Sequence, residues 1–208
     1  MSFTKKLLTA VLLISSTAAL AAPTAGPEFK LGLTWDKAGK TDNWDGGVGV
    51  AAQALFWHNK SFAFAATLGT SKWDSNTDTK TFSDGISGEL KGDARLNYLG
   101  ISGIQVFPFQ DNLSAELEAG MRVVSVSSNV KLSYTDGTTT ATDKLEFGTA
   151  FTGIIAGDLL MKLNAQTKLF GGVGYQFDVT KARGKAFDAY DNNSLASAFI
   201  RAGVQFSY

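Results

Sequence analysis

The sequence predicts an all-β fold, eight antiparallel strands closed up-and-down into a transmembrane β-barrel. Three observations carry this. Apolar residues recur at every second position in eight segments, the period of a strand with two unlike faces. The segments reach or exceed the ~9–11 residues that a tilted strand needs to cross hydrocarbon, whereas strands of soluble domains average ~5–6. Short connections alternate with long polar ones, which is the plan of a barrel with a turn end and a loop end.

Ahead of the first strand, residues 1–21 open with Lys5 and Lys6 and continue through the apolar "LLTAVLLISSTAAL" to Ala19-Leu20-Ala21. A charged start, a short apolar core and a small-x-small exit predict a cleaved secretory signal. The run is too short for a comfortable helical span. The barrel domain is expected over residues 22–208.

The first strand, "EFKLGLTWD", places Phe29, Leu31, Leu33 and Trp35 on one face and Lys30, Gly32, Thr34 and Asp36 on the other. The second sets Val48, Val50, Ala52, Ala54 and Phe56 against Gly47, Gly49, Ala51, Gln53 and Leu55. In the third, Phe62, Phe64, Ala66 and Leu68 oppose Ala63, Ala65, Thr67 and Gly69. The fourth is less regular. Leu90, Ala94, Leu96 and Tyr98 share a phase, then Leu99 and Ile101 compete for it. A bulge between Tyr98 and Gly100 is one expectation there; a hairpin hidden in the long fourth or fifth segment, which would raise the count to ten strands, is another.

The fifth strand puts Leu113, Ala115, Leu117, Ala119, Met121 and Val123 opposite Ser114, Glu116, Glu118, Gly120 and Arg122. The sixth alternates from Leu145 to Leu163 against Glu146, Asp158 and Lys162, and the seventh from Leu169 to Val179 against Lys168, Gln176 and Asp178. The eighth, "AFIRAGVQFSY", holds Ala198, Ile200, Ala202, Val204, Phe206 and Tyr208 on one face, with Arg201 on the other. Short turns fall at residues 58–60, 110–112 and 164–166. Long polar loops are expected at residues 37–45, 74–87, 133–143 and 181–194.

Composition supports the same plan. The 22 glycines lie largely inside apparent strands, and proline occurs only at Pro23, Pro27 and Pro108, as suits long ladders that proline would interrupt. There is no cysteine, so no disulfide staples the fold. Without Lys5 and Lys6 the chain carries 17 basic and 19 acidic side chains, a balance unsuited to nucleic acid. A soluble sandwich also alternates. It would not account for long strands combined with an export signal and a closing aromatic strand. In lipid each unpaired backbone group is costly, so a sheet must close, last strand on first.

Aromatic residues fall at two levels. Trp35, Trp73 and Phe177 would mark the loop end, and Phe29, Phe56, Trp57, Phe62, Phe107, Phe206 and Tyr208 the turn end. Two such rings would form the interfacial girdles of a membrane barrel.

The leader, the eight alternating segments and the ending "IRAGVQFSY" resemble the small outer-membrane β-barrel proteins of Gram-negative bacteria, most of all the eight-stranded OmpA transmembrane-domain and OmpX-like group. The resemblance covers the mature chain and lies in pattern, not in a motif. It implies the cell outer membrane as location, outer-membrane lipid and lipopolysaccharide as surroundings, and the barrel-assembly machinery as reader of the C-terminal strand. Members of that group typically end in phenylalanine; Tyr208 departs from this but remains aromatic. No room is expected for the peptidoglycan-binding domain of OmpA-like proteins, so the resemblance does not imply that anchoring role.

With eight strands the interior is about filled by side chains. Glu116, Glu118, Arg122, Glu146, Asp158, Lys162, Lys168, Asp178 and Arg201 would then form a lumen charge network, because an unpaired buried charge is costly. The network reads either as a plug or as a narrow polar conduit. The plug implies a structural or surface-interaction role, such as adhesion or envelope integrity; the conduit implies a small pore or transporter. A third reading, a lipid-modifying barrel enzyme, would need His58, the lone histidine, as its base. No nucleophile or acid is spaced to serve it. Glu116 and Glu118 share a face like a catalytic carboxylate pair, but Arg122 on that face argues for ion pairing. No metal spacing occurs and no cofactor is expected. Lys181, Arg183 and Lys185 in the last long loop are candidate contacts for lipopolysaccharide phosphate or an anionic surface partner.

Overall fold

The computed structural model describes residues 26–38, 44–75, 80–81, 87–128, 131–135, 140–144, 148–180 and 194–207. The expected export segment, Glu146, the loop cations Lys181, Arg183 and Lys185, and Tyr208 lie outside the described residues.

Among those residues the strands are β1 Glu28–Ala38, β2 Trp44–Trp57, β3 Phe62–Ser75, β4 Lys80–Thr81, β5 Ser87–Lys91, β6 Asp93–Gln110, β7 Leu113–Ser128, β8 Lys131–Thr135, β9 Thr140–Lys144, β10 Thr149–Lys162, β11 Thr167–Asp178 and β12 Ser197–Ser207. Eight of them close a barrel in the order β1-β12-β11-β10-β7-β6-β3-β2. All its pairs are antiparallel, and β1 meets β12 from Glu28↔Ser207 to Ala38↔Ser197. No backbone edge of the barrel is left open, which a sheet in hydrocarbon requires.

Pairing also fixes the stagger. Stepping from Glu28 to Leu55, Ala65, Ser102, Gly120, Ile154, Gln176 and Ser197 returns to β1 at Ala38, ten residues along. Strands so staggered must tilt, by ~35–45° in barrels generally. Most residues on that circuit are buried inside the barrel.

The short turns stand where the sequence places them. Two share one device. Asn59 Oδ1 accepts from the Ser61 and Phe62 amides, and Asn164 Oδ1 from those of Gln166 and Thr167. Asparagine does this readily because its side chain mimics a backbone acceptor.

Two expectations are corrected. Residues 74–87 and 133–143 are not wholly loop. They contribute to a second sheet, β4-β5-β8-β9, in which β5–β8 carries the β6–β7 pairing onward past Gly92 (φ 144°). These segments are polar but rich in threonine, which suits strands. The fourth predicted strand has no bulge between Tyr98 and Gly100, and its register with β3 and β7 runs unbroken there.

The reason is an inversion of polarity with height. On β6, Ala94, Leu96 and Tyr98 point inward and are buried, while Leu99 and Ile101 point outward at 66% and 73% exposure. At the loop end the barrel has an apolar interior of Trp44, Trp73, Ala94, Leu96, Tyr98, Val124, Val126, Ala150 and Leu195, and its outer face there carries Lys72, Asp74, Arg95, Asn97, Ser125 and Ser127. Below it the outer face is Leu68, Leu99, Ile101, Leu117, Val123 and their like, exposed and apolar. One strand thus changes which face is greasy as it leaves the belt.

Candidate functional site in the charged lumen

The interior has three tiers. The turn end is filled by Leu55, Trp57, Ala63, Ala65 and Ile104, the loop end by the apolar cluster around Trp73 and Leu195. Between them lie the buried ions.

Lys30 on β1 reaches across to β7 and β10, pairing with Glu116 and, at 2.9 Å, with Asp158 Oδ2. Glu116 and Asp158 are register partners, an unfavourable like-charge pair on its own, and the one ammonium serves both. Arg201 grips Asp158 with a two-point fork, Nε to Oδ1 and Nη2 to Oδ2, each 2.8 Å. Its Nη2 also lies 2.7 Å from Glu118 Oε2. Glu118 Oε1 accepts from Gln53 at 2.9 Å and Ser102 at 2.7 Å. The chain Glu116–Lys30–Asp158–Arg201–Glu118 is thereby continuous, and all five side chains are at least nine-tenths buried.

Backbone register makes room for it. Gly172 lies between Asp158 and Arg201, paired with both. A Cβ there would stand 2.2 Å from Asp158 Oδ1. Glycine leaves the gap through which strands β10 and β12 join hands. Glycine elsewhere seats the rings that hold Arg122. Tyr98 lies over Gly69 and Phe199 over Gly174, and the Arg122 guanidinium rests 4.5 Å from the Tyr98 centroid and 5.8 Å from that of Phe199. Arg122 also donates to Gln176 Oε1 at 3.3 Å. Cation–π contact of this kind is worth most when desolvated. Arg122 completes an even balance of three cations and three carboxylates in this tier.

At the loop end residues 194–196 are tied to β11 as a strap. Asp178 accepts from Ser194 Oγ at 2.5 Å and from the Leu195 amide at 2.8 Å, and Gln176 Nε2 donates to the Leu195 carbonyl at 2.8 Å. Leu195, at 2% exposure, drops into the apolar tier. Cavities remain beside Arg122. One of about 10 Å³ lies between Asp36, Tyr98 and Gln176, another of about 30 Å³ between Lys30, Gln53 and Arg201. These volumes hold roughly one and two waters.

Of the expected network residues, Glu116, Glu118, Arg122, Asp158 and Arg201 come together. Lys168 pairs instead with Glu28 at 3.2 Å on the turn-end rim. Asp178 belongs to the strap. Lys162, placed in the lumen by its phase, is exposed: it ends β10 beyond the last inward residue Leu160, where a lysine reaches water. Lys30, Glu28, Gln53 and Asp36 join the interior without having been singled out by sequence reasoning, although Lys30 and Asp36 stand on the inward face of the first strand in plain alternation.

The aromatic rings divide similarly. Trp35 (70% exposed) and Phe56 face outward. Phe29 and Phe206 are register partners with rings 6.2 Å apart at the turn end. Phe62 lies over Gly103 and Phe177 over Gly153 on the outer wall. Trp73 and Trp57 are no part of an outer ring. Both are inward and buried, at 1% and 8%. Trp73 Nε1 donates to Asp36 and Ser71 at 3.2 and 3.1 Å, and Trp57 lies 5.9 Å from the Lys168 ammonium. Each has odd parity, against the even parity of the outward residues of its strand.

His58 sits in the first short turn, its amide bonded to the Phe62 carbonyl. Glu116 and Glu118 act as counter-ions to Lys30 and Arg201, which commits to ion pairing the charge that an acid–base pair would use.

No family model and no curated protein matches the sequence. Solved structures do. Neisserial surface protein A, from Neisseria, superposes with a TM-score of 0.57 at 16% identity over 88% of this chain and 98% of that one. The outer membrane protein OprG from Pseudomonas aeruginosa superposes at 0.62 and 10% identity over 90% and 98%. At such identities the likeness is one of fold: the chain is built as the small eight-stranded outer-membrane β-barrels are.

Proposed function

We propose that this protein is a non-enzymatic outer-membrane barrel with a sealed interior, acting through its outward surfaces in a structural or surface-interaction role. The observation that carries it is the filling of the lumen among the described residues: an apolar cluster toward each end, and between them a continuous ion network beside cavities of about 10 and 30 Å³. A solute path would have to break the Lys30 and Arg201 bridges and also displace the Trp73 and Leu195 packing. The apolar belt, open to the outside on every barrel strand, suits acyl chains, and the rings of Trp35, Phe56, Phe29 and Phe206 suit its two margins.

Planar-bilayer recording tests this. The reconstituted protein is expected to give no stable conductance above the bare-membrane baseline. Large, long-lived current steps would contradict the sealed interior and favour a small pore. Turnover of lipid A or phospholipid that His58→Ala abolishes would contradict the non-enzymatic reading.

A further inference from the structure

The outer wall above the belt has an unexplained feature. Lys72 on β3 and Arg95 on β6 are direct register partners. Both point outward and are exposed. Two cations opposite one another on one face of an antiparallel pair repel. Asp93 takes one Lys72 donor at 2.7 Å, but an ammonium has three. Arg95, whose guanidinium offers five, has no ion-pair partner among the described residues.

The rows beneath are ordered. Directly below the cations, the outward row is Thr70, Asn97 and Ser125, hydroxyls and an amide. Below that it is Leu68, Leu99 and Val123, exposed and apolar. Above, it is Asp74 and Asp93. Going up this wall, acyl-compatible surface gives way to neutral hydrogen-bonding groups, then to paired positive charge, and only then to carboxylates. A membrane lipid has that sequence of chemistry in complement: chains, ester or amide linkage, phosphate.

We infer that Lys72 and Arg95 form a binding site for the phosphate of a membrane lipid whose chains lie along Leu68, Leu99 and Val123. The inference rests on the membrane reading above. The anion resolves the like-charge pair by bridging both cations, a planar guanidinium being suited to two phosphate oxygens at once. Thr70 and Asn97 lie where the linkage of the chains to the headgroup would pass. Asp74 and Asp93 keep the patch from acting as a long-range positive field, so recognition depends on contact.

The test uses the full chain in detergent micelles with lipid A as the probe, its retention read by native mass spectrometry, and with phosphatidylcholine and free inorganic phosphate as comparison arms. The Lys72→Gln/Arg95→Gln double variant is expected to hold lipid A about thirtyfold more weakly than the parent, the effect of two charges at ~1 kcal/mol each. A Lys60→Gln/Lys162→Gln variant, with the same charge removed at the opposite rim, is expected to match the parent. Equal loss in both variants, or no loss in the first, overturns the site. Competition by millimolar inorganic phosphate as effective as that by lipid A also overturns it, because the chains would then add nothing. If the parent inserts into bilayers as a folded barrel yet shows no dependence on Lys72 and Arg95, the inference fails and the membrane reading stands. If the parent does not insert at all, both fail.

Discussion

Arg201→Ala is expected to destabilise the barrel by about 3–5 kcal/mol, the usual result of removing one partner from a buried ion pair. The substitution leaves Glu118 without its ion-pair partner and Asp158 with Lys30 alone, both carboxylates almost fully buried and 2.7–2.8 Å from the lost guanidinium. Urea unfolding in lipid vesicles, followed by tryptophan fluorescence, reads the change. Lys168→Ala, which removes a half-buried cation at the rim, is expected to cost under about 1 kcal/mol, as exposed pairs do. Gly172→Ala should injure the same bridge from the backbone side, because its Cβ would occupy the place of Asp158 Oδ1. Replacing all of Lys30, Glu116, Glu118, Arg122, Asp158 and Arg201 with apolar residues of similar volume should cost far less than Arg201→Ala alone, since the desolvation of the ions disappears along with their attraction. An Arg201→Ala variant within about 0.5 kcal/mol of the parent would show that the interior is wet enough to hydrate the carboxylates, contrary to the sealed lumen; loss of one partner there would then count as it does at a surface.

Leu117→Arg is expected to cost about 2–4 kcal/mol, the penalty of an arginine on the lipid face near the middle of a barrel belt. Leu117 is 56% exposed on β7, midway along the outward row Leu113 to Val123. Ser125→Arg, on the same strand and the same face but above the polarity change and opposite the uncharged Asn97 and Thr149, is expected to be neutral within about 0.5 kcal/mol, as surface substitutions usually are. The same unfolding experiment compares them. Equal, small effects would mean that the outer face of β7 meets water over its whole length.

Alternation made the barrel legible. Parity in β1, β7 and β12 is enough to set Lys30, Glu116, Glu118 and Arg201 on one side of the sheet, and eight strands leave them nowhere to point but inward. What alternation could not supply is depth. Trp73 looks like a girdle tryptophan because it is aromatic and near a strand end; its parity with Thr67 and Ser71 assigns it to the interior. Lys162 has inward parity yet escapes to water because it lies one inward position past Leu160. The irregular fourth segment reads as a bulge only if one face is assumed to stay apolar throughout. The structure keeps the register and exchanges the faces, since a barrel wall that rises out of hydrocarbon needs a dry inside and a wet outside. Partners across the lumen were invisible for a different reason. Lys30 and Glu116 are separated by 86 positions, and only closure of the sheet with a ten-residue stagger brings them together.

The central claim is that the outer wall of this barrel faces acyl chains up to a defined height. Single-site spin labelling tests it directly, because the native chain has no cysteine and each introduced thiol has one address. Labels at positions 115, 117, 119, 121, 123, 125 and 127 of β7, in protein reconstituted into phospholipid bilayers, are compared for collisions with oxygen, which concentrates in hydrocarbon, and with a water-soluble nickel complex. The ratio is predicted to favour oxygen from 115 to 123, to peak at 117 and 119, and to reverse in favour of nickel at 125 and 127. Nickel access at 117 and 119 equal to that at 127 would contradict the account.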